Sequence, residues 1–144
     1  MKTLEERIQT LEDRAALLDL TYRYGWAVSQ GWAKRKIALT AVQQLFTDDA
    51  LWESEDMGIK VQGSKNILSS IAQETANLTF AMHQYSQPLL DIGGKDAQAH
   101  WLFWIVSKAD TLKQIFMSQE IRYKKTEERW RIGSVKVFFG GTMK

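Results

Sequence analysis

Cysteine is absent from this 144-residue chain. That excludes a disulfide framework, a thiolate metal centre and a cysteine nucleophile, and it fits a cytoplasmic protein. Histidine occurs only twice, with no HxH or HxxxH spacing, so no metal site is expected. Charge of one sign is lacking as well: the formal net charge is +2, weak for a nucleic-acid binder. The one compact basic run, Lys34-Arg35-Lys36, reads as a solvated helix start. No apolar run is long enough to cross a bilayer; the longest, from Ala97 to Val106, is interrupted by Gln98 and His100. The opening MKTLEERIQTLEDR is charged and amphipathic, unlike a signal peptide, so no membrane partner is expected. Gly93-Gly94 and Gly140-Gly141 do not lie in a strand–GxGxxG–helix setting. No nucleotide cofactor is implied, and no cofactor of any kind is expected.

Aromatic residues are what the chain does have, at 11% with six tryptophans. Such side chains fill a core or line an apolar pocket. A chain this long buries roughly 68% of its unfolded surface, enough for one domain over residues 1–144. Leu4, Ile8, Leu11, Ala15, Leu18, Tyr22 and Trp26 recur at three- and four-residue steps, predicting one face of a long helix that ends by Gly31. Leu39, Val42, Leu45 and Phe46 mark a second helix, broken by Thr47-Asp48-Asp49. A short hairpin follows, Ala50–Glu53 with Gly58–Gln62, and then a third helix capped by Ser64 with Ile67, Leu68 and Ile71 on its apolar face. Four long strands are expected at 78–91, 96–108, 111–124 and 129–139, joined by hairpin-length breaks. Helices first and strands afterwards argue for an α+β fold. Strands such as Trp101-Leu102-Phe103-Trp104-Ile105-Val106 are apolar on both faces, so the outer sheet face is expected to meet another copy, as a homodimer or homotrimer.

Several stretches carry a family resemblance. Leu11-Glu12-Asp13-Arg14-Ala15-Ala16 with Asp19-Leu20 and Tyr24, then Leu45 to Trp52, then Gly58, Gly63 and Ile67, and finally Trp130 after the Tyr123 strand follow one order and spacing. The chain resembles the SnoaL-like branch of the NTF2-like superfamily, whose members include scytalone dehydratase and hexachlorocyclohexane dehydrochlorinase. The resemblance implies a cone: three N-terminal helices on a curved, mainly antiparallel sheet enclosing an apolar pocket. It further implies a cofactor-independent lyase or isomerase carrying out dehydration, elimination or isomerisation of a small hydrophobic cyclic, polyketide- or terpenoid-like molecule.

His83 matches the place of the general base in those relatives, and imidazole suits proton transfer near neutrality. The relatives orient that histidine with an aspartate near the end of the first helix. Here that place holds Ser29, which supplies no negative charge, so a non-catalytic small-molecule-binding or assembly domain is the alternative. Tyr22 and Glu53 complete the candidate catalytic set. The expected substrate-binding wall is Trp26, Phe46, Ala81, Tyr85, Gln87, Trp101, Phe103, Ile105, Met117, Gln119 and Val135, from strand alternation and the resemblance together.

Overall fold

Thr3 opens the first helix with a reciprocal cap. Its hydroxyl accepts from the Glu6 amide at 3.1 Å, and the Glu6 carboxylate accepts from the Thr3 amide at 2.8 Å. In the computed structural model, which describes residues 1–144, three helices and six strands follow. They are α1 (Leu4–Ala27), α2 (Leu39–Leu45), β1 (Phe46–Ser54), β2 (Ile59–Gln62), α3 (Ser64–Thr75), β3 (Phe80–Gly93), β4 (Asp96–Lys108), β5 (Leu112–Thr126) and β6 (Arg129–Met143). The strands form one sheet in the order β2-β1-β6-β5-β4-β3. β1 runs parallel to β6, and every other pairing is antiparallel. The helices pack on this open, mainly antiparallel sheet, giving the expected α+β cone.

Three local readings differ. Thr47-Asp48-Asp49 does not break the chain but lies inside β1, which already begins at Phe46. Gly63, at φ +92°, occupies the cap position of α3, and Ser64 is its first helical residue with no side-chain capping bond. The basic run precedes α2 as a loop. There Arg35 donates through Nη2 to the Trp26 carbonyl at 3.0 Å, placing a cation at the C-terminus of α1.

The largest departure concerns which face of α1 is inside. The buried residues are Asp13, Leu17, Leu20, Thr21, Tyr24, Gly25 and Ala27. The apolar stripe read from the sequence faces outward, with Leu4, Ile8, Leu11, Tyr22 and Trp26 exposed. Buried polar groups decide the orientation, because each finds a partner on the sheet. Asp13 Oδ1 accepts from Trp130 Nε1 at 2.9 Å, Gln9 Nε2 at 3.1 Å and Lys125 Nζ at 3.2 Å. Thr21 donates to the Leu17 carbonyl at 2.9 Å, so it must accept from the Tyr123 hydroxyl at 2.6 Å. Tyr123 in turn accepts from Trp101 Nε1 at 3.1 Å. Burial pushes the Asp13 carboxyl up, but the bonds from Trp130, Lys125 and Gln9 outweigh it and hold it below the ordinary 3.8.

Asp13→Ala removes the shared acceptor and strands Lys125 and Trp130, so it should cost about 3 kcal/mol in urea unfolding. Because the folded pKa is depressed, this stabilisation is present above about pH 3.8 and is lost as pH falls through the lower folded value. A loss below ~1 kcal/mol at pH 7 would mean that Asp13 behaves as a surface pair.

Candidate active site

On α3 the residues Ile67, Ser70, Ile71, Glu74, Thr75 and Leu78 follow helical spacing into the segment after it and face one way. They form one wall of a cavity of about 770 Å³. Tyr24 and Val28 of α1, Trp52 of β1 and His83 of β3 join them, and the sheet contributes Phe103, Ile105, Ile115, Met117, Gln119 and Val137. Most of the lining is apolar, with a few polar tips, as in small-molecule sites. Met57, the β4–β5 turn around Asp110, Lys113 and the chain end at Lys144 surround its mouth.

His83 is carried by β3, an edge strand, and the segment just after α1 supplies the missing pairing for that edge. Gln30 and Ala81 exchange backbone bonds of 2.8 and 3.0 Å. The His83 amide then donates to Ser29 Oγ at 3.0 Å, and Ser29 donates to the Gly25 carbonyl at 2.6 Å. The fit needs glycine: a Cβ on Gly25 would lie 3.1 Å from the His83 carbonyl. Gly31, at φ +110°, lets the chain turn away where a Cβ would meet the Thr79 carbonyl at 2.6 Å.

The imidazole packs on Phe103 with ring centroids 6.0 Å apart. Its Nδ1 is buried without a hydrogen-bond partner. Nε2 bonds to nothing in the protein and is not enclosed, so it is the nitrogen left open. Burial pushes the imidazole down to about 4, and the nearby Val28 carbonyl opposes that shift without outweighing it. His83 is therefore neutral at pH 7, with a lone pair to offer. Further polar groups face the cavity, Gln119 and Glu74 among them. Gln119 accepts the Tyr85 hydroxyl at 2.8 Å through Oε1, which leaves its amide N–H groups as donors. Glu74 is an exposed residue, and the partial burial of its carboxyl still raises its pKa. Its charge adds to the burial that raises the Tyr24 phenol.

Of the expected residues, His83, Phe103, Ile105, Met117 and Gln119 are brought together on the cavity wall. The rest lie elsewhere. Ser29 serves the His83 backbone rather than its ring. Tyr22 and Trp26 project from the outward side of α1, where with Ser29, Tyr85, Met82 and Trp32 they line a second groove of about 200 Å³, which His83 also lines. Glu53 lies beside Lys60 and Lys136 on neighbouring strands, and alternation gives the cavity its neighbour Trp52 instead. Gln87 is exposed, at φ +53°, in a bulge where the β3–β4 register shifts between Ser86 and Leu89. Phe46, Ala81, Trp101 and Val135 are buried in packing behind the wall. Trp52, Tyr24 and Glu74 were missed. The signal for Glu74 was available, since it is the one carboxylate on the stripe that continues Ile67 and Ile71.

Three helices on a half-open, six-stranded sheet give the chain an NTF2-like cone fold. The SnoaL-like domain family matches residues 9–136, and the chain belongs to that family. No functionally curated protein matches it significantly. Among solved structures it is similar to hexachlorocyclohexane dehydrochlorinase LinA type 3 from Novosphingobium barchaimii. That match has TM-score 0.80 and 14% identity, covering 95% of this chain and 92% of that one. It is similar to a protein from Novosphingobium aromaticivorans provisionally assigned as a scytalone dehydratase, with TM-score 0.82, 10% identity and coverage of 93% and 88%. A third, from the same organism and provisionally assigned as an aromatic ring hydroxylase, has TM-score 0.79, 20% identity and coverage of 92% and 93%. At these identities the likeness is one of fold.

The neutral imidazole has a thermodynamic signature. Unfolding releases His83 to its ordinary 6.5, so the unfolded state binds the extra proton first as pH falls. Stability should therefore decline from about pH 6.5 towards pH 4, by up to ~3 kcal/mol. His83→Leu should flatten that slope. Equal slopes in the two proteins, measured by urea unfolding at each pH, would contradict a buried neutral ring.

Proposed function

We propose that this protein binds a small, mostly apolar molecule in the cone cavity and acts on it as a cofactor-independent lyase or isomerase, with His83 as general base. The observation that carries this reading is the His83 ring: uncharged at neutral pH, unengaged at Nε2, and set in the wall of a cavity large enough for a cyclic substrate. In a dehydration, Nε2 takes a proton from carbon, and the released C–H pair forms the new C=C bond. The neighbouring hydroxyl leaves with its bonding pair. The imidazolium hands its proton to that departing hydroxyl, which leaves as water, and the ring returns to its neutral form. The family and two similar structures, one provisionally assigned as a dehydratase and one a dehydrochlorinase, support a lyase type of chemistry.

A second reading is binding without turnover. It is favoured by one observation: no carboxylate or hydroxyl hydrogen-bonds the His83 ring, so nothing with charge stabilises an imidazolium. Incubating the protein with cyclic alcohols and halides that bind it, and weighing the products, separates the two. Under the first reading, His83→Ala should lower turnover by on the order of 10²-fold or more with folding intact. The acid limb of kcat/KM should lie near pH 4, leaving the rate flat from about pH 5 to neutrality on that side. Bound molecules of unchanged mass in every case would establish the second.

A further inference from the structure

The outward stripe of α1 has a pattern that its own domain does not use. No residue from Leu4 to Glu12 is among the buried residues of the helix, although the capping box holds these turns helical. Leu4 is 68% exposed and Leu11 67%. The steps from Leu4 to Ile8, Leu11, Ala15, Leu18 and Tyr22 alternate four and three, which is the spacing of a coiled-coil seam. In heptad terms Leu4, Leu11 and Leu18 take the d positions, while Ile8, Ala15 and Tyr22 take the a positions. Isoleucine at a with leucine at d favours two strands. At 100° per residue, this stripe points away from the face carrying Asp13, Leu17 and Tyr24, so a partner helix would not meet the sheet.

The flanking charges choose the partner. On one flank the e positions are Glu5, Glu12 and Asp19; on the other the g positions are Arg7 and Arg14. In a parallel pair, Arg7 of one helix faces Glu12 of the other, and Arg14 faces Asp19, each contact made twice by the two-fold symmetry. In an antiparallel pair, arginine would face arginine and acid would face acid. Within one chain only Asp19 is engaged, with Arg23 at 2.6 Å. We propose that the outward face of α1 is a homodimer seam, on which a second copy of this chain packs its own α1 in parallel. The seam is short. Because the sheet already holds the helix folded, association does not carry the nucleation cost that makes isolated short helices marginal. Its strongest part is Leu4–Ala15, since Leu18 also touches the core and Tyr22 leans edge-on against Trp101 at 5.9 Å.

Sedimentation of the full chain across a dilution series tests this. The native protein should dimerise, and Leu11→Asp should raise the dissociation constant by on the order of 100-fold, because it buries an unpaired charge in the seam. Circular dichroism of that variant should stay native, because Leu11 is exposed in the protomer. The pairs Arg7→Glu with Arg14→Glu, and Glu12→Lys with Asp19→Lys, should each weaken self-association by roughly tenfold. Mixing the two variants should restore a heterodimer. Since the chain has no cysteine, Leu4→Cys should form an inter-chain disulfide only if the helices run parallel. A protein that stays monomeric at every concentration would overturn the proposal, as would a dimer indifferent to Leu11→Asp. A dimer lost in Phe116→Ser but kept in Leu11→Asp would instead assign the interface to the outer sheet face.

Discussion

A single oxygen of Asp13 gathers three donors, one from its own helix and two from the last two strands. That contact fixes which way α1 is rotated, and the rest of the site follows from the rotation. With Asp13 inward, Thr21 meets Tyr123, Tyr24 turns toward the cavity and Ser29 reaches the edge of β3. Rotating the helix to bury Leu4, Ile8 and Leu11 would gain apolar contact at the cost of orphaning Lys125, Trp130 and Tyr123. Each stranded group costs about 1–3 kcal/mol, and together they compare with burying one or two large apolar side chains. Those leucines also sit on turns extending past the residues the sheet covers, so less burial was available to them.

The same balance explains what could be read from the sequence. Strand periodicity was clear because the sheet residues alternate strictly: Trp101, Phe103 and Ile105 are inward, while Leu102 is exposed. β4 therefore came out with its bounds intact, and the wall residues Phe103, Ile105, Met117 and Gln119 followed from it. The helix-1 face was legible as a period and illegible as a direction. Hydrophobic spacing records which residues want cover, not which cover they get, and the paired burial of Asp13 and Thr21 leaves no apolar mark. Gln87 failed for a different reason: the bulge after Ser86 shifts the alternation, and only Pro88 hinted at it.

Edge pairing also accounts for the serine at position 29. An edge strand leaves amides without partners, and β3 brings His83 to such an edge. Ser29 satisfies that amide with a small hydroxyl where the helix end and the strand approach closely, a closeness already imposed by Gly25. The serine thus holds the backbone that carries His83, while leaving the ring to its surroundings.

Those surroundings set the chemistry that such a ring can do. A partner carboxylate would raise the imidazole and stabilise its charged form; here desolvation outweighs the Val28 carbonyl and lowers it to about 4. A base of that strength is always ready but gains little from taking a proton, so its substrate must supply an acidified C–H or a leaving group that is itself assisted. The other titratable group on the α3 wall, Glu74, is displaced in the opposite sense, toward the protonated form. The cavity thus moves the two groups in opposite directions by one cause, the removal of water from around a charge.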